Sequence, residues 1–131
     1  MEWRALVLFA WAAGVACAPG PTGPSEVVPL GREFTLRPGE SVTIESTDLI
    51  VSFEQVAQDS RCPADATCVW AGDAVVVLKV GEASLELRST TAPESVVGAY
   101  RVRLERVEPV AYRDRTIPPE AYRAVLRVTR S

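Results

Sequence analysis

From Phe34 onward, apolar residues recur with a period of two rather than 3.6, and that spacing does most to restrict the fold. Val42 and Ile44 alternate with Thr43 and Glu45; Leu49, Val51 and Phe53 share a face opposite Ser52 and Glu54. Leu85 and Leu87 alternate with Ser84, Glu86 and Arg88. Tyr100, Val102 and Leu104 alternate with Arg101, Arg103 and Glu105, and Ala124, Leu126 and Val128 with Arg123, Val125 and Arg127. Successive strand residues point to opposite faces, so each set predicts a strand with one face on a core and the other in water. Ala74 to Val80 is almost wholly apolar, as a centrally buried strand should be.

The turn chemistry agrees. Pro38-Gly39 suits a type II turn, proline fixing φ and glycine supplying the positive φ at the next position. Gly81-Glu82 reads as a two-residue type II′ loop joining the strand that ends at Val80 to one beginning near Ala83. The alternation slips by one between Glu105 and Val107, which predicts a bulge. Pro118-Pro119 blocks any strand before the last one, and Pro119 to Ala124 offers at most one helical turn. The expected fold is all-β: a single antiparallel β-sandwich, Ig-like or similar, of about seven strands over 32–131.

The N-terminus reads as an address. Ala5 to Ala16 is an unbroken apolar run behind a short, weakly positive start. It is too short to span a bilayer, which takes about 20 helical residues. It fits the core of a signal peptide covering 1–16. Gly14-Val15-Ala16-Cys17 looks like a lipobox, with glycine where leucine is usual. In that motif the cysteine thiol receives a diacylglyceryl group and becomes the first mature residue. Plain cleavage after Ala16 stands as the alternative, since small residues at Gly14 and Ala16 also permit it. The Pro-, Gly- and Ser-rich stretch up to Gly31 reads as a flexible tether over 17–31. The expectation is an exported lipoprotein of the cell membrane or outer membrane, held by lipid on Cys17.

Cysteine usage supports that assignment. The chain has three cysteines, and an oxidising compartment leaves one unpaired. Giving Cys17 to the lipid leaves Cys62 and Cys68 as a pair. A ring that small is worth about 2.4 kcal/mol in the loop-entropy model, less any strain. Asp59, Arg61, Pro63 and Trp70 lie in the same excursion between strands and form a candidate binding loop. Arg61 is expected to be exposed, and Trp70 to cover the ring or cap the sandwich end with its indole N–H on a partner. The stretch Asp59-Ser60-Arg61-Cys62-Pro63, followed by Cys68 and Trp70-Ala71-Gly72, resembles a motif of small exported or lipoprotein-like bacterial proteins of unassigned function. The likeness extends loosely to Phe34–Gly39, the strand before the loop and the closing strand from Tyr122. It implies a location, a β-rich fold and the disulfide, and no activity.

Composition narrows the function. With no histidine, the chain lacks the commonest general base and metal ligand. Ser60 beside Asp59 has no base to activate it, and Lys79, the sole lysine, lies mid-strand. No enzyme activity and no cofactor are expected. Two cysteines cannot fill a four-ligand zinc site, and Asp59, Asp65 and Asp73 match no calcium loop, so no metal is expected either. A formal net charge of −3 gives no general attraction for nucleic acid. A non-catalytic binding or envelope-assembly module remains, with an envelope protein or glycan as partner and the membrane reached through the lipid. Outward-facing Arg101, Arg103, Arg123 and Arg127 would make a cationic stripe if their strands pair, unless Glu86 and Glu105 neutralise them. The other reading is a protease inhibitor that offers Arg61 on the braced loop.

Overall fold

The computed structural model describes Gly14 and residues 26–131; Cys17 and the rest of the expected signal peptide lie outside the described residues. Nine strands are described: β1 (Glu26–Val28), β2 (Glu33–Leu36), β3 (Ser41–Ile44), β4 (Ile50–Asp59), β5 (Ala74–Val80), β6 (Ala83–Arg88), β7 (Glu94–Val97), β8 (Tyr100–Glu108) and β9 (Arg123–Arg130). They form two sheets, ordered β1-β3-β4-β5-β6 and β2-β9-β8-β7. The sheets pack face to face as an all-β sandwich. The alternating apolar residues meet between them: Ile44, Val51, Phe53, Leu78 and Leu87 from one sheet, Leu36, Val102, Leu104 and Leu126 from the other, all essentially inaccessible. Burying one such side chain is worth about 1.5–3 kcal/mol, so the shared interior accounts for most of the fold's stability.

The turns take the expected forms. Gly39 and Gly81 have φ of 88° and 59°, and β5 pairs with β6 from Val80↔Ala83 to Val75↔Arg88. The register of β8 against β9 shifts between Leu104 and Arg106, where the alternation slips. Among the described residues the helical turn is a 3-10 turn at Pro119–Ala121.

Three expectations change. Residues 26–28, assigned above to the tether, form β1, and Val28 is buried in the core. The sandwich therefore begins at least six residues before 32. Second, β1 lies parallel to β3, so one edge pair departs from the antiparallel plan. Third, the strand number exceeds seven because β1 has only three residues and β7, Glu-Ser-Val-Val, buries no residue and carries no apolar alternation.

On the outer face of the second sheet, Arg103 stands directly opposite Arg127. Like charges at that spacing repel. Glu105 reaches both guanidinium groups at 3.5 Å, Glu94 meets Arg103 at 3.2 Å, and Glu33 meets Arg127 at 3.7 Å. Arg123 donates to the carbonyls of Glu120 and Tyr122. The strands do pair, yet the anticipated cationic stripe is laced with carboxylates. Glu86 takes no part, because β6 belongs to the other sheet.

Candidate functional site

β4 and β5 form a long antiparallel pair whose far end carries the disulfide loop. Past Phe53, β4 bulges twice and only Val56 still packs against the core, while β5 stays buried down to Ala74, so the pair ends at the rim of the sandwich with Asp59↔Ala74. The ladder continues into the loop: Ser60 N–H donates to the Asp73 carbonyl (2.7 Å) and Cys62 N–H to the Ala71 carbonyl (2.8 Å). Between these bonds Gly72 adopts φ +69°, and a Cβ there would collide with the Ser60 carbonyl oxygen. Only glycine permits that close approach.

The Cys62–Cys68 bond forms as expected, with 5.9 Å between Cα atoms. The ring folds over towards the segment that follows β8. Ala64 N–H donates to the Ala111 carbonyl at 2.8 Å, and Arg113 N–H donates to the Asp65 carboxylate at 3.0 Å. Asp73 fastens the other side, accepting from the N–H groups of Thr90 and Thr91 and from the Thr91 hydroxyl. Burial would raise the Asp73 carboxyl, but these donors outweigh it and hold it below its ordinary value.

Arg61 is where the outcome departs most from expectation. Its side chain is only 14% exposed and is turned inward. Nε and one terminal nitrogen grip the Asp59 carboxylate as a fork, at 2.8 and 2.7 Å. The other terminal nitrogen donates to the Val107 carbonyl on β8 at 2.9 Å. The Tyr122 hydroxyl, just before β9, completes the cluster by donating to Asp59 at 2.9 Å. Asp59 thus couples the two sheets across 63 residues of sequence. Burial pushes its carboxyl up, but the bonds from Arg61 and Tyr122 prevail and hold it low. Burial, then the bond to Asp59, pushes the Tyr122 phenol up to about 12. A guanidinium held this way is unavailable to enter a protease cleft without breaking three side-chain hydrogen bonds, which removes the premise of the inhibitor reading.

Trp70 departs in the opposite direction. It neither covers the ring nor caps the sandwich. It stands out into solvent at 80% exposure beside Val69 at 87%, the two highest values among the large hydrophobic side chains of the described residues. Pro63 lines a shallow open groove of about 610 Å³ between the ring and the 109–118 segment, floored by Asp59, Arg61 and Tyr122. Tyr112 and Arg115 form its far wall, the guanidinium stacked 5.2 Å from the ring centroid.

Of the candidate residues, the structure brings Asp59, Arg61 and Pro63 together and sends Trp70 elsewhere. Sequence reasoning missed Tyr122, the Val107 carbonyl and Gly72 as their partners. The resemblance pointed at Tyr122 as the start of a strand, and a tyrosine entering a strand beside two prolines was the one available signal. No group of three His, Cys, Asp or Glu among the described residues could hold a metal ion.

Fold and site together define a small all-β sandwich domain with one disulfide-braced end. Comparisons of the chain with protein families, with curated proteins and with solved structures find no match.

Proposed function

We propose that this chain is an exported lipoprotein, acylated on Cys17, whose β-sandwich serves as a non-catalytic binding or envelope-assembly module. The braced end is its binding element. The observation that carries this reading is the contrast within a single loop. The groups able to do chemistry, Asp59, Arg61 and Tyr122, saturate one another, while the adjacent Val69 and Trp70 stand unpartnered on a rigid support. Preorganised loops lose little entropy on binding, and exposed aromatic residues are the commonest anchors of interfaces. The spent carboxylate and guanidinium argue against a catalytic role for this end.

Two measurements test the proposal. Intact-mass and N-terminal analysis of the natively expressed protein should give a chain that starts at diacylglyceryl-Cys17, and Cys17→Ser should release it from membranes. An unmodified mature N-terminus would remove the anchor. Photo-crosslinking from position 70 in cells should then yield adducts that a probe at the exposed Glu86, in the middle of β6, does not. Equal labelling from both positions would dismiss the braced end as the binding element.

A further inference from the structure

The direction of β1 shows where the tether comes from. β4 runs towards the disulfide loop, β3 runs against it, and β1 is parallel to β3. The N-terminal end of β1, at Glu26, therefore points towards the braced end. Glu26 lies level with Val42, which faces Val51. The base of the loop at Asp59 is eight residues further along β4, two of them taken up by the bulges, so about 20 Å away at the usual strand rise. From Cys17 to Glu26 the chain can cover at most about 30 Å. The chain from Cys17 to Glu26 is thus long enough for an anchor at Cys17 to stand at the depth of the loop beyond Asp59.

Among the described residues, the same end also gathers exposed apolar side chains. Four of the seven exposed large hydrophobic side chains lie there: Val69, Trp70, and Val110 and Tyr112 on the segment that packs against the ring. Tryptophan, tyrosine and arginine favour the boundary between headgroups and acyl chains. The loops at this end carry Arg61, Arg113 and Arg115 against Asp65, Asp73, Asp114 and Glu120, so charge does not draw this end to an anionic surface. We infer that the partner of the braced end is the bilayer holding the lipid of Cys17, with Val69 and Trp70 inserted at the interface and the domain fixed upright. This rests on the acylation proposed above. The tether makes insertion intramolecular, so one apolar pair, too weak to recruit a free domain, is enough to orient an anchored one.

A mature chain starting at Cys17 has a single tryptophan, because Trp3 and Trp11 lie upstream, so intrinsic fluorescence reads position 70 alone. The acylated protein is reconstituted in phosphatidylethanolamine–phosphatidylglycerol vesicles, with and without brominated acyl chains. A blue-shifted emission and roughly twofold quenching by bromolipid are expected for an indole at the interface, with little change when phosphatidylglycerol is omitted. A Gly/Ser insert of about twelve residues after Ser25 should reduce the quenching severalfold, since effective concentration falls as a tether lengthens past its span. Emission typical of an indole in water, unaltered by bromolipid, overturns the inference, as does quenching indifferent to tether length. Mass analysis of the same sample separates the two failures. An acylated chain with unquenched Trp70 defeats only the membrane contact, whereas a chain without the acyl group defeats both. Crosslinking from position 70 to an envelope protein in place of lipid would likewise overturn it.

Discussion

The two flanks of the Cys62–Cys68 ring meet opposite fates. On the N-terminal side, Asp59 and Arg61 turn inward and are consumed by Tyr122 and the Val107 carbonyl. On the C-terminal side, Val69 and Trp70 touch little and face solvent. The charged side chains are largely withdrawn from solvent and the large apolar ones exposed, the reverse of the usual partition. Burying an ion pair costs desolvation that only close geometry repays, and the fork, the carbonyl and the phenol together supply that geometry. The lesson is that the polar flank is structural and the apolar flank is left for something outside the molecule.

Substitutions can break this contrast, the most damaging first. Gly72→Ala forces a Cβ into the Ser60 carbonyl at positive φ and should cost at least about 3 kcal/mol, read as a lower urea midpoint. An unchanged midpoint would mean that the β4–β5 extension is not rigid. Asp59→Ala strands the Arg61 guanidinium and the Tyr122 hydroxyl, and a loss of about 2–4 kcal/mol is expected, again from chemical unfolding. Tyr122→Phe removes one bond to the carboxylate, about 1 kcal/mol. Trp70→Ala should shift stability by less than about 0.5 kcal/mol while abolishing the contacts made from position 70. A large loss there would mean that Trp70 packs against the domain after all.

Acidity sharpens the same contrast. The folded-state carboxyl of Asp59 titrates lower than that of the unfolded chain, so its stabilisation is present above the unfolded value near 4 and vanishes as pH falls through the folded one. The Tyr122 phenol is raised to about 12 in the folded state, so its contribution is complete below about 10 and is lost as pH rises through 12. Stability against pH should therefore decline at both extremes, and Tyr122→Phe should remove the alkaline decline that this phenol contributes. Titration by circular dichroism with fixed urea would read it.

The core strands were legible because burial on one face imprints alternation, as in Leu85–Leu87 or Val102–Leu104, and on both faces a continuous run, as in Ala74–Val80. β1 was not, since three residues beside Pro29 and Gly31 carry no period and resemble spacer. The pairing of Cys62 with Cys68 followed from counting thiols. The direction of Arg61 did not follow from anything local. Its partners include a carbonyl 46 residues away, and backbone acceptors leave no mark in side-chain pattern. Trp70 was misplaced for a related reason: an indole in a small domain is ordinarily worth burying, and only the completed ring shows that no cavity remains for it.

The order β2-β9-β8-β7 has a consequence for how the molecule comes into being. β9, the last strand described, sits between β2 and β8, and these two meet only through it. A polypeptide that has emerged only as far as Tyr122 has β2 and the β7–β8 hairpin but nothing to join them. The second layer can therefore assemble only once β9 is available, and a chain that lacks it should leave the inward side chains of β2 and β8 without their shared neighbour.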